Sequence, residues 1–262
     1  MKLDTATIDA LAVRLEDCEL QARDTTKITD DHPEMDWEDA YAIQEAIKQR
    51  KLARGARIVG LKAGLTSHAK MKQMGVDTPV FGFLADYFAL PDGGECKAAE
   101  LIHPKVEPEI AFVTKADLRG PGCHIAAVLA ATDFVLPAIE IIDSRYRDFK
   151  FDLKSVVADN CSSSRFVVGG AIADPADVDL RTTGVVLEKN GEVVALGAGA
   201  AVLGHPAAAI AMLVNKLAER GEHLPAGTLV LSGGITEAVA VKAGDHITLR
   251  VQGLGSTSVR FV

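Results

Sequence analysis

The sequence predicts an α+β fold, with a small helical N-terminal part over residues 1–57 and a β-rich domain over residues 58–262. Three observations carry this. Apolar residues recur at helical spacing only in the first 55 residues and in two later segments. From Ile58 onward the texture changes to short β-like runs punctuated by glycine. Strands outnumber helices after that point and do not alternate regularly with them, which argues against a doubly wound sheet.

In the N-terminal part, Ile8, Leu11, Ala12 and Leu15 fall at i, i+3, i+4 and i+7 and form one apolar stripe. The stretch TTKITDDHPEM, residues 25–35, is polar and contains proline, so it reads as a loop. Asp36 is placed to cap a second helix that buries Ala40, Ile43 and Ile47. That helix ends in a basic turn, Lys48 to Arg54, with Gly55 as its stop.

The candidate strands are Ile58–Lys62, Glu109–Val113, Ile139–Ile142, Val185–Glu188, Val193–Leu196, Leu229–Leu231, Ile247–Val251 and Ser258–Val262. Asn190-Gly191 between two apolar runs signals a type I′ hairpin. Two helices interrupt the strands. One starts near Ser67 with Ala69, Met71 and Met74; the other runs from Pro206 to Arg220, burying Ile210, Leu213 and Leu217.

Composition bounds the function. A chain of 262 residues that is 48% hydrophobic can build a sizeable core. Its net charge of −8 argues against a nucleic-acid partner. Any anion site must therefore be local. Cys18, Cys96, Cys123 and Cys161 show no C-x-x-C spacing and read as reduced thiols. The opening MKLDTATIDA has no apolar signal region, and no continuous apolar run reaches about 18 residues. The expectation is a soluble, cytoplasmic protein with no membrane partner.

The candidate chemistry lies in carboxylates. In HPKVEPEIAF, residues 103–112, Glu107 and Glu109 are two apart and share one face of a strand. Side-by-side carboxylates repel unless a cation lies between them, and Mg²⁺ or Mn²⁺ favours such oxygen ligands. A solvated acidic edge strand is the alternative. In LPAIEIIDSRY, residues 136–146, Glu140 stands in an otherwise apolar run. It needs a partner if buried, either a metal or a base such as Arg145.

Lys62, in GLKAGLTS, is open to three roles: acid or base, anion anchor, or Schiff-base former. A snorkelling surface lysine is the alternative. LSGGIT, residues 231–236, offers a backbone anion nest with the Thr236 hydroxyl, or simply a turn. ADNCSSSRF, residues 158–166, supplies hydroxyls, amides and the Arg165 charge. His103 and His205 both precede proline and read as loop residues, and Tyr87 has no assigned task.

Taken in order, GLKAGLTS, VEPEIAF, AIEIIDSRY, VVADNCSSSRF, GAGAAVLGHP and LSGGIT resemble the 2-oxopent-4-enoate hydratase and 4-oxalocrotonate decarboxylase family. This is a branch of the fumarylacetoacetase-like superfamily, and the resemblance runs from about Lys27 to Val262. It implies a mixed β-roll core carrying the chemistry, and one Mg²⁺ or Mn²⁺ held by Glu107, Glu109 and Glu140. It also implies Lys62 as the active-site lysine. Asn160, Ser162, Ser163, Gly234 and Thr236 would contact the substrate.

The flanking segments KITDDHPEMDWEDAYAIQ, KMKQMGVDTPVFGFLADYFALPDGG and SRYRDFKFDLKSVVADN are similar to the decarboxylating branch. The implied reaction is loss of CO₂ from (3E)-2-oxohex-3-enedioate, giving 2-hydroxypenta-2,4-dienoate, in meta-cleavage degradation of aromatic compounds. Hydration of 2-hydroxypentadienoate is the alternative. A carbon–carbon hydrolase would need a histidine-type base near the carboxylates, and the text there is poor in histidine. A non-catalytic sensor of metal-chelated acids is the reading from another class. The resemblance also implies a homo-oligomer and a complex with the pathway hydratase.

Overall fold

The computed structural model describes residues 1–67, 71 and 79–262. Its helices are α1 (Thr5–Leu20), α2 (Ile28–Asp31), α3 (Trp37–Ala53), α4 (Ile125–Ala131), α5 (Leu153–Ala158) and α6 (Pro206–Glu219). Its strands are β1 (Ile58–Gly64), β2 (Val80–Ala85), β3 (Ala89–Leu90), β4 (Gly94–Cys96), β5 (Lys105–Thr114), β6 (Thr132–Ile142) and β7 (Ser163–Val168). They continue with β8 (Gly184–Lys189), β9 (Glu192–Ala198), β10 (Leu229–Leu231), β11 (Val239–Ala240), β12 (His246–Val251) and β13 (Gly255–Phe261).

One sheet runs β2-β1-β10-β5-β6-β7-β3, with β11 also on β5; the second runs β4-β13-β12-β8-β9. Pairing is mixed: β1 with β10, β3 with β7 and β4 with β13 are parallel, and the other pairs are antiparallel. The main core fills the space between the sheets. It joins Val106, Ile110, Phe112, Ile139 and Ile141 to Leu187, Leu249 and Phe261, with α6 packed against it. Because strand side chains alternate, the odd-numbered residues of β5 and the even-numbered residues of β6 face the other way. There Ala111, Ala138 and Phe166 form a second, smaller apolar cluster. Both faces of the central strands are thus covered, which explains their near-continuous hydrophobic text.

The N-terminal helices pack as a third cluster. Leu11, Leu15, Ile28, Ile43 and Ile47 meet Phe83, Tyr146 and Val157. Asp36 caps α3 and closes a capping box with Asp39. Lys51 is fully buried, with Nζ 2.6 Å from Glu19 Oε2 and 2.7 Å from the Tyr87 hydroxyl. Tyr87 therefore ties the helices to the sheet. The segment 25–35 is not all loop, since Ile28 is buried and starts the single turn α2.

Asn190 and Gly191 carry positive φ at the β8–β9 hairpin, as their sequence predicts. Pro206 occupies the first turn of α6, and His205 caps it through Nδ1. The segment Gly199–Glu219 is long and apolar enough to cross a membrane, yet Ile210, Leu213, Val214 and Leu217 lie in the core. Beyond the elements that the sequence predicts, the structure has β2, β3, β4, β7, β11, α4 and α5, and β5 and β6 begin earlier than Glu109 and Ile139. The helix expected from Ser67 through Ala69 and Met74 falls largely outside the described residues.

Candidate metal centre

β5 and β6 are long antiparallel neighbours, and their register places Glu107 directly opposite Glu140. Glu109 follows Glu107 on the same face. The strand start is set by Asp143, whose carboxylate accepts from the N–H groups of Ile102 and His103, both at 2.8 Å. The result is three carboxylates with one oxygen from each lying within 4.8 Å of the others. The alternative of a solvated acidic edge strand is excluded, because Glu109 and Glu140 are 0% exposed at the centre of the large sheet.

The third wall comes from a distant segment. The N–H of Gly233 donates to Glu109 Oε2 at 2.7 Å. Gly233 has a φ of +99°, and a Cβ there would fall 2.0 Å from Thr66 Oγ1, so only glycine fits. Gly234 passes so close to Glu107 that an added Cβ would sit 3.0 Å from its Oε1.

Lys62 reaches the cluster from β1. It is buried, with Nζ 3.0 Å from Glu140 Oε2 and 3.2 Å from the Cys161 carbonyl oxygen. The snorkelling alternative is thereby excluded. Glu140 pairs with Lys62 and not with Arg145, which instead binds Asp159. Burial works to lower the Lys62 pKa, but the charge of Glu140 above all, with Cys161, Glu107 and Glu109, raises it above the ordinary lysine value. Burial pushes Glu109 well above the usual carboxylate range, and Glu140 and Glu107 push further against the opposing effects of Lys62 and the Gly233 N–H. Glu140 is raised for the same first reason, with Lys62 opposing and Glu107 adding to it.

Glu109 Oε1 and Glu140 Oε1 are buried with no hydrogen-bond partner, and Glu140 Oε2 faces the Lys62 ammonium. A divalent cation is what such a donor set fits, since it replaces the missing partners and offsets the repulsion.

The remaining predicted contacts divide. The Ser162 and Ser163 hydroxyls are buried without a hydrogen-bond partner. Asn160 differs: its amide oxygen accepts from Phe83 N–H at 2.8 Å and its nitrogen donates to the Phe83 carbonyl at 2.9 Å. These two bonds hold Asn160 against the backbone of Phe83. Thr236 donates to the Glu237 carbonyl at 3.0 Å and its methyl lies towards Gly197. His103 has a buried, unpartnered Nε2, and its ring is tilted 47° to that of Phe149 at 5.0 Å between centroids.

The buried Arg145–Asp159 pair is not evident from the sequence, where Arg145 is a candidate partner of Glu140. A cleft of about 840 Å³ lies elsewhere, lined by residues including Tyr41, Phe81, Phe83, Arg220 and His223, and contains none of the three carboxylates.

Comparison with known proteins identifies the family. Residues 58–262 match the model of the fumarylacetoacetate (FAA) hydrolase C-terminal family. The chain is 65% identical over 260 residues to a 4-oxalocrotonate decarboxylase of Pseudomonas putida, covering 99% of this chain and 98% of that one. It is 42% identical over 260 residues to a 2-hydroxyhexa-2,4-dienoate hydratase of Comamonas testosteroni, covering 98% of each. Among solved structures it resembles 4-oxalocrotonate decarboxylase from Pseudomonas putida G7, complexed with magnesium and adipate, with a TM-score of 0.98 and 62% identity. That match covers 100% of this chain and 99% of that one. On its sequence and its fold, the chain belongs to the FAA hydrolase C-terminal family.

Proposed function

We propose that the protein is a carboxy-lyase that decarboxylates (3E)-2-oxohex-3-enedioate, using Mg²⁺ or Mn²⁺. The observation that carries this is the buried trio Glu107, Glu109 and Glu140 beside the Lys62 ammonium. The choice of decarboxylation over hydration rests on identity, 65% to the decarboxylase against 42% to the hydratase.

The substrate is a vinylogous β-keto acid. Its C6 carboxylate sits on a carbon conjugated through C3=C4 to the C2 ketone, so the electron pair released with CO₂ can pass to that ketone. The cation, when bound by the three glutamates, supplies the electron sink at the 2-oxo group. Glu107, Glu109 and Glu140 would hold it, with Gly233 fixing one Glu109 oxygen so that the other points to the cluster.

Lys62 is held as an ammonium by its acidic neighbours. It would donate to the developing enolate oxygen or to the C1 carboxylate, as a charge-assisted hydrogen bond in a dry site. Ser162 and Ser163 retain unmet hydroxyls that would orient a substrate carboxylate, and Gly234 leaves room beside Glu107. Residues 58–262 supply every one of these groups, and residues 1–57 would act as a helical buttress. Placement in the meta-cleavage route in the cytoplasm, a homo-oligomer and a complex with the hydratase that consumes the product all follow from the same reading.

The test is CO₂ release from 2-oxohex-3-enedioate, with and without EDTA, beside a hydration assay on 2-hydroxypentadienoate. Metal-dependent CO₂ release with slow hydration is the expected result. Fast hydration without CO₂ release would reverse the assignment.

A further inference from the structure

Lys62 is aimed by an unusual piece of backbone. Its second contact, the Cys161 carbonyl, lies in a turn where Asn160, Cys161 and Ser162 have φ of +47°, +52° and +59°. None is glycine, and all three are buried. Left-handed backbone costs each such residue roughly 1–2 kcal/mol, so three in succession persist only if the surroundings over-determine them.

The surroundings do so from both sides. The buried Arg145 guanidinium donates through Nε to the Asp159 carboxylate and through Nη2 to the Asp159 carbonyl, just before the turn. Through Nη1 it donates to the Ser163 carbonyl, just after the turn, at 3.1 Å, and to the Asp143 carbonyl at 2.7 Å. The Arg145 N–H also donates to the Asp159 carboxylate at 3.1 Å. One planar fork thus staples both ends of the turn. On the opposite side the Asn160 amide mimics a strand neighbour of Phe83. The fit there is tight, since a Cβ on Gly82 would come 2.7 Å from Asn160 Oδ1.

We propose that Arg145 and Asp159 are positioning residues for the reaction, holding the left-handed turn so that the Cys161 carbonyl orients the Lys62 ammonium beside Glu140. Neither residue touches the three carboxylates. The staple needs a planar group with several donors in fixed directions, which lysine cannot supply. The proposal rests on the reading of Lys62 as the catalytic cation.

A double-mutant cycle tests it. Arg145→Lys is made alone and with Lys62→Ala, and CO₂ release is measured per Mn²⁺-binding site, counted by titration, so that misfolded protein does not enter the rate. Arg145→Lys is expected to lower kcat per site at least 10-fold when Lys62 is present and less than 2-fold when it is absent, with Mn²⁺ affinity within 3-fold of wild type. Losses that simply multiply, or an unchanged kcat, would overturn it. If Lys62→Ala alone keeps the wild-type rate, the catalytic reading of Lys62 fails, and this proposal with it. If Arg145→Lys does not fold, Asn160→Gly runs the same cycle, because glycine accepts the left-handed backbone while removing the clamp on Phe83.

Discussion

Gly233 and Glu109 are 124 residues apart in sequence, yet the N–H of one donates to the carboxylate of the other at 2.7 Å. This bond ties the LSGGIT turn to β5 and decides which Glu109 oxygen is left for a cation. It makes Gly233 a site of unusual sensitivity. Gly233→Ala should destabilise the protein by about 2–5 kcal/mol, the sum of left-handed strain and overpacking against Thr66. It should also weaken Mg²⁺ binding. Urea melts and calorimetric titration check both; a variant as stable as wild type would show that the turn yields easily.

Glu109→Gln should abolish metal-dependent CO₂ release while the fold survives. In the metal-free protein the raised pKa values of Glu109 and Glu140 mean that the fold opposes their ionisation. The sign follows: folded carboxyls that hold protons more tightly than unfolded ones lend stability below about pH 4.5, and lose it as pH rises through the raised values. In EDTA at pH 8, Glu109→Gln should therefore melt above wild type, and added Mg²⁺ should reverse the order. Thermal melts at both conditions decide this; a Gln variant that binds Mg²⁺ like wild type would remove Glu109 from the ligand set.

Lys62→Ala should cost roughly 2–4 kcal/mol in kcat/KM, the range for loss of a donor aimed at developing charge. Lys62→Arg should regain part of the binding and little of the rate, because its fork cannot occupy the point position 3.0 Å from Glu140. As an ammonium, Lys62 should form no Schiff base. Borohydride added during turnover, followed by mass spectrometry, should find no adduct; a reduced adduct on Lys62 formed equally in EDTA would sink the metal-sink mechanism.

His205 gives a pH effect away from the site. Its Nδ1 accepts from Ala207 N–H at 3.1 Å, capping α6, and burial lowers its pKa below the usual 6.5 despite Asp179. The unfolded chain then takes up the proton first, so stability is full above about pH 6.5 and falls as pH drops towards the folded value. His205→Asn keeps a capping oxygen and should flatten that part of the curve. Chemical denaturation between pH 7.5 and 5.5 compares the two.

Local chemistry made part of this protein legible from its text alone. The α3 cap at Asp36, the α6 start at Pro206 and the Asn190-Gly191 hairpin depend on neighbours within a few residues, so their spacing determines them. The shared face of Glu107 and Glu109 follows from the strand period, and the oddity of Glu140 follows from its apolar setting. What those residues do together was decided elsewhere. The β5–β6 register brings Glu140 opposite Glu107, Gly233 arrives from 124 residues away, and Lys62 comes in from β1.

The partners that local sequence does not reveal share one physical reason. Asn160 has hydroxyl-rich neighbours that suggest a ligand site, and its amide also binds the backbone of Phe83, 77 residues distant. Arg145, three residues from a buried strand, could have paired with Glu140 on proximity alone. It is committed to Asp159 and the ends of a left-handed turn. Long-range hydrogen bonds in a low-dielectric interior outweigh local preference, because leaving any one of them unmade would strand a buried polar group at a cost of roughly 1–3 kcal/mol.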